Sequence, residues 1–112
     1  MREAGPNYLS GVPELLVLRL LKDREMYGYE LVQAIRAATG EAIVLGEGVV
    51  YPLLHMLERE GALKSRRQTV AGRSRIYYAL TPVGEKRLAR AASAWTRIAG
   101  AVGGVLGAPA RA

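Results

Sequence analysis

Lys64, Arg66, Arg67, Arg73 and Arg75 lie within a dozen residues of one another. Guanidinium and ammonium groups that close together bind anions, phosphate above all. Between Arg59 and Arg90, nine basic residues stand against only Glu60 and Glu85, while the whole chain carries a formal charge of +6. Outside that stretch the chain is about neutral. A positive balance confined to one segment has the distribution of a binding footprint. The partners it admits are nucleic acid, an anionic membrane surface or an acidic protein.

Other reactive residue types are sparse. The chain has no cysteine, which excludes disulfides, thiolate metal sites and a thiol nucleophile. His55 is the sole histidine and has no cluster of carboxylates to complete a metal site. Ser10, Ser65, Ser74 and Ser93 lie in no strained nucleophile turn and lack a His–Asp pair. Gly46-Glu47-Gly48 lacks the spacing and the following Lys of a phosphate loop. Neither an enzyme nor a cofactor is expected.

The elements that must position the basic cluster can be read from periodicity. The 112 residues suit one domain. Residues 1–8 read as an arm, with Gly5 and Pro6 as breakers. Pro13 can open a first helix. Its run over 15–21, Leu-Leu-Val-Leu-Arg-Leu-Leu, is apolar nearly all round and should be buried on most sides. After a link at 23–26, a second helix is expected over 29–38, with Leu31, Val32, Ile35 and Ala38 on one face. The connection at 41–47 has room for a brief strand at 43–45. A third helix starts near Glu47 and stops at Gly61, with Val50, Leu53, Leu54 and Leu57 inward.

Then the period changes. Residues 62–67 and 75–81 read as strands, joined by a tip at 68–74. In the second strand Ile76, Tyr78 and Leu80 face one way, and Arg75, Tyr77 and Ala79 the other. Thr81-Pro82 starts a last helix over 82–106. Val83, Leu88, Ala91, Ala92, Trp95, Ile98, Ala99 and Val102 form its apolar stripe. Gly103, Gly104 and Gly107 should fray its end, leaving a tail at 107–112. The fold expected is mainly α with a small β-hairpin, of α+β class. It is a winged helix-turn-helix over 9–81 followed by a long C-terminal dimerisation helix. A chain this small gains by burying more surface in a dimer.

Three segments in order resemble the PadR-like transcriptional regulators. They are Met26-Tyr27-Gly28-Tyr29-Glu30-Leu31, then residues 48–61 (Gly-Val-Val-Tyr-Pro-Leu-Leu-His-Met-Leu-Glu-Arg-Glu-Gly), then residues 72–84 (Gly-Arg-Ser-Arg-Ile-Tyr-Tyr-Ala-Leu-Thr-Pro-Val-Gly). The likeness runs from about Leu9 to Ile98, and the single last helix resembles the shorter branch of the family. It implies a homodimer on double-stranded operator DNA, usually a repressor, with each last helix packed on the partner's first helix. In several members a flat aromatic effector enters between the subunits. Val49 departs from the Thr more common there, and Met56 from a frequent basic residue.

Site expectations follow. The third helix would present Val49, Tyr51, Pro52 and His55 to the major groove. Val49 offers only apolar contact, and the Tyr51 hydroxyl reaches a phosphate unless its ring packs under the wing. Tyr27 and Tyr29 stand at the entry to the second helix, one to touch phosphate and the other to pack, and Tyr27 is counted with the DNA-binding residues. Lys64, Arg66, Arg67, Arg73, Ser74 and Arg75 make the wing, which otherwise is a charged edge that blocks strand aggregation. Leu9, Val12, Leu16, Leu88, Trp95, Ile98 and Val102 are dimer-interface candidates. Trp95 is either a dimer-core aromatic or, with Tyr8, Gly11, Leu15, Ala92 and Ala99, one wall of an effector pocket. The alternative reading is a winged helix that binds RNA or a protein, without an effector. Met1–Pro6 has no apolar leader, and residues 98–110 are too short and Gly-rich to cross a bilayer, which takes roughly 20 apolar residues. A cytoplasmic protein with no membrane partner is expected.

Overall fold

The computed structural model describes the backbone of residues 6–107 and the side chains of residues 11–107. The order is α1 (Pro6–Asp23), β1 (Met26–Tyr27), α2 (Gly28–Ala38), α3 (Glu47–Arg59), β2 (Leu63–Val70), β3 (Arg73–Leu80) and α4 (Pro82–Leu106). The architecture is a winged helix, as its residue pattern indicates: helices around a small antiparallel sheet, with a long helix appended.

Periodicity located the core. Val17, Leu18 and Leu21 of α1, Leu31 and Ile35 of α2, and Val50, Leu54 and Leu57 of α3 are buried together. Met26, Ala62, Leu63, Tyr78 and Leu88 complete the cluster. Each helix contributes residues three or four apart, so one face of each turns inward. At its end α3 closes with paired bonds: Ala62 N–H donates to the Leu57 carbonyl at 2.9 Å, and Gly61 N–H to that of Glu58 at 3.0 Å. This closure turns the chain directly into β2.

Several elements differ from the sequence reading. The first helix runs from Pro6, not Pro13, so part of the expected arm is helical. Pro6 suits the first turn, and interior Pro13 forfeits one intrahelical hydrogen bond. Residues 43–45 form no strand, and the link before α2 supplies a short one instead. Met26 pairs with Tyr78 and Tyr27 with Tyr77, giving the sheet order β1-β3-β2. A two-residue strand is too short to alternate, and its pairing with β3 is non-local.

The hairpin is longer than expected. Val70 pairs directly with Arg73, so the tip is only Ala71 and Gly72. Both have positive φ, 51° and 79°. That is the mirror-image turn whose twist matches two antiparallel strands, and Ala71 adopts it in place of the usual Asn or Asp. The tip expected over 68–74 around Gly72 is thus shortened to two residues.

In α4, Thr81 caps the start by accepting from Gly84 N–H at 3.0 Å. The helix stays regular through Gly103 and Gly104 and ends at Gly107, with φ 80°. The radius of gyration is 15.5 Å, against about 13 Å for a compact domain of this length. Past Ile98, the last residue of α4 to line the recess against α1, residues 99–106 are exposed except for half-buried Gly103.

Candidate nucleic-acid interface

The two faces of the wing have different chemistry. One carries Lys64, Arg66 and Gln68 on β2, opposite Ala79, Tyr77 and Arg75 on β3. Tyr27 extends that row, with its ring edge-on to Tyr77 at 5.4 Å between centroids. The Arg75 guanidinium lies over the Tyr27 ring at 4.4 Å and that of Arg66 over Tyr77 at 5.1 Å. Stacking of this kind fixes the planar cations while leaving their edges able to donate.

Arg66 is already engaged. Its Nε donates to Glu25 Oε1 at 3.0 Å, a second nitrogen pairs with Glu25 Oε2, and a third donates to Gln68. The hydrogen bond from Arg66 holds the Glu25 carboxyl below the usual carboxylate range. Glu25 therefore occupies the place a phosphate would take on Arg66, a pairing the sequence reading missed. Its signal was absent because the two residues are 41 positions apart. Arg67, on the other face, donates to the Ser74 hydroxyl at 2.9 Å. Lys64 and Arg73 are exposed and make no ion pair among the described residues. The wing thus holds two open cations, Lys64 and Arg73, one held by stacking alone, Arg75, and two held by side-chain hydrogen bonds, Arg66 and Arg67.

Next to the wing lies a crevice of about 260 Å³, lined by Tyr27, Gly28, Tyr51, His55, Ser74, Arg75, Ile76 and Tyr78. The fold brings α3, the start of α2 and β3 together here. Tyr51 rests its ring edge and hydroxyl against Gly28, leaving no space for a β-carbon there. The ring therefore packs against the start of α2, and the residue also lines the crevice beside β3. His55 is exposed one turn further along α3. Val49 is 47% exposed and Pro52 is exposed at the start of α3. Tyr78 is buried beneath, and desolvation raises its phenol pKa. Cationic, hydroxyl and imidazole groups around a recess can seat phosphate oxygens.

A second recess lies between α1 and α4, about 310 Å³, lined by Gly11, Val12, Leu15, Ala91, Ala94, Trp95, Arg97 and Ile98. Of the residues expected in an effector pocket, Gly11, Leu15 and Trp95 line it. Ala92 and Ala99 do not. Each stands one residue after a lining position, about 100° around the helix, and faces solvent. The helical repeat of Ala91, Trp95 and Ile98 was the available signal. The Tyr8 and Leu9 side chains lie outside the described residues. Leu88, expected at a dimer interface, is 6% exposed and belongs to the chain's own core. The first turns of α4 dock on the body, which consumes it. Leu16 and Val12 are half-buried, while Val102 is 51% exposed.

Among the described residues no group of His, Cys, Asp or Glu could hold a metal, and no helix is long and apolar enough to cross a membrane. Comparison with known proteins gives a consistent result. The family model described as the transcriptional regulator PadR-like family matches residues 17–90. The transcriptional regulator Rv3488 of Mycobacterium tuberculosis is 35% identical over 74 residues, 66% of each chain. The structure of a transcriptional regulator from Clostridium thermocellum superposes with a TM-score of 0.79 at 28% identity, covering 89% of this chain and 95% of that one. A PadR family transcriptional regulator from Eggerthella lenta superposes with a TM-score of 0.75 at 30% identity, covering 90% and 86%. The matched span includes the wing, α3 and the core beneath them, and members of this family are regulators, not enzymes. The chain belongs to the PadR-like family of DNA-binding transcriptional regulators.

Proposed function

We infer that the chain is a homodimeric repressor, acting in the cytoplasm on a palindromic operator and released by a small hydrophobic or aromatic effector. The observation that carries this reading is the shared crevice. It sets Tyr51 and His55 of α3 beside Ser74 and Arg75 of the cationic strand, with Val49 and Pro52 exposed on the same helix and Arg73 exposed on the same strand. The helix start meets base edges, and the wing cations neutralise phosphates. Two copies joined through α4 would present two such surfaces, which is what an inverted repeat matches. The exposed Trp95 beside the α1–α4 recess supports an effector seat. A recess of about 310 Å³ is at the small end of ligand sites, and a partner chain would enclose it further.

The expected result is protection of an inverted repeat upstream of the chain's own gene at low salt. Planar aromatic compounds should quench Trp95 fluorescence and lower DNA affinity together. Absence of protection removes the repressor reading. Quenching with no effect on DNA removes the effector from it, because coupling requires different ligand affinity in the two states.

Glu25 gives a prediction of opposite sign to most substitutions in a DNA-binding face. Glu25→Gln frees Arg66 for a phosphate, so DNA affinity should rise. The slope of log affinity against log salt should steepen by about 0.9, the contribution of one further phosphate contact. A salt titration comparing the two proteins reads both. Unchanged or weaker binding would show that Arg66 is needed as Glu25 holds it.

A further inference from the structure

Arg87 makes the most heavily bonded ion cluster among the described residues. Its Nε and one Nη donate to the Glu14 carboxylate at 2.7 and 3.1 Å, and its other Nη to Glu60 Oε1 at 2.6 Å. Three elements meet there: Glu14 on α1, Arg87 on α4, and Glu60, the residue that caps α3. Arg87 and Glu14 are 26% and 23% exposed, the most covered ends of any ion pair among the described residues. Partial burial and a shared, forked guanidinium make such a pair geometrically exacting. A cation at the C-terminal end of α3 also complements the negative end of its dipole. Hydrogen bonding to both carboxylates holds Arg87 firmly protonated.

The surrounding joint is tight. The Thr81 hydroxyl donates to the Gly61 carbonyl at 2.6 Å, and Thr81 N–H donates to the Ala62 carbonyl at 3.1 Å. Gly84 lies against that same Ala62 carbonyl with no space for a β-carbon. The first turns of α4 are thus keyed to the residues that end α3. Thirteen residues of α3 at 1.5 Å each make a lever of roughly 20 Å. A small shift at its Glu60 end changes where Val49 and Tyr51 point. Glu14 adjoins Leu15, and Arg87 lies one turn before Ala91, both lining the α1–α4 recess.

We propose that Arg87 is a positioning residue for DNA recognition: by gripping Glu14 and Glu60 together it sets the angle of α3 on the α1–α4 pair. The role rests on the DNA-binding reading above. It requires no contact between Arg87 and DNA. Loss of the grip should therefore spoil base reading and leave the salt-driven attraction for any duplex largely in place.

The test compares affinity for a duplex selected by the wild-type chain from a random-sequence pool with affinity for random duplex. Arg87→Met should lower that ratio by about tenfold, the worth of one good base contact. Affinity for random duplex should change less than threefold, with the dimer retained. Glu60→Gln, an exposed change that leaves the Glu14 pair intact, should lower the ratio in the same direction. The double variant should be no worse than Arg87→Met alone, because Arg87→Met already removes the link that Glu60→Gln breaks. A ratio unchanged in both single variants overturns the proposal, since a merely stabilising pair would alter melting temperature only. Equal losses on both duplexes overturn it too, marking Arg87 as a plain phosphate contact. If the wild-type chain selects no sequence, the DNA reading itself fails, and this role falls with it.

Discussion

Replacing Arg73 and Arg75 together with alanine should weaken binding to duplex DNA on the order of 10–100-fold at physiological salt. The salt slope should flatten by roughly 1.8, two phosphate contacts' worth. Arg73 flanks the two-residue tip and is exposed. Arg75 is held over Tyr27 at 4.4 Å and lines the crevice next to Tyr51 and His55. Neither makes an ion pair with a carboxylate among the described residues, so their charge is available to a partner. The fold should survive, since the hairpin register is held by backbone pairing from Leu63–Leu80 to Val70–Arg73. Stacking of the Arg75 guanidinium on Tyr27 contributes only about 0.5–1 kcal/mol to that fold. Filter binding or fluorescence anisotropy over a salt series measures both quantities, and unchanged affinity would remove the wing from the mechanism. Made in the Glu25→Gln background, the same substitution should leave a net flattening of only about 0.9 relative to the wild-type chain, because the freed Arg66 offsets one of the two lost contacts.

If the proposed homodimer forms through α4, Trp95→Ala combined with Val102→Asp should convert it to a monomer and reduce affinity for the proposed operator by about 10²–10⁴-fold, the loss of bivalent binding. Trp95 and Val102 are 45% and 51% exposed, and Val105 and Leu106 beyond them are 88% and 76%. A row of large apolar groups along a projecting helix marks a surface built for contact. An aspartate in its middle would have to be buried unpaired on association. Neither residue belongs to the buried cluster, so each chain should still fold around α1–α3 and the wing. Sedimentation or light scattering reads the mass, and a dimer unaffected by the pair of changes would place the interface elsewhere.

What was legible in the sequence was set by local repetition. The apolar repeats of α2 and α3, the Thr81-Pro82 start of α4 and the alternation of Ile76, Tyr78 and Leu80 each declare themselves within a few residues. The same holds for the basic cluster, whose residues fall on one hairpin. The missing pieces depend on pairings distant in the chain. β1 exists because Met26 and Tyr27 meet Tyr78 and Tyr77. The Glu25–Arg66 and Glu14–Arg87–Glu60 clusters join residues that no periodicity relates. Ala71 in the turn opposes its own local preference, and the pairing of the strands on either side overrides it. The exchange of Ala92 and Ala99 for Ala91, Ala94 and Ile98 in the α1–α4 recess is a rotation of about one residue on one helix. A stripe drawn too wide covers both faces.

The central claim is that α3 and the wing of each subunit read one half of a symmetric duplex site. Selection from a random-sequence duplex pool at low salt, with the mass of the bound complex measured on the winning sequence, tests it directly. The expected winner is an inverted repeat whose half-sites lie one helical turn apart, about 34–36 Å, or a multiple of it. It should carry two chains per duplex. Failure to enrich any sequence, or enrichment of an asymmetric site held by a single chain, would contradict the account.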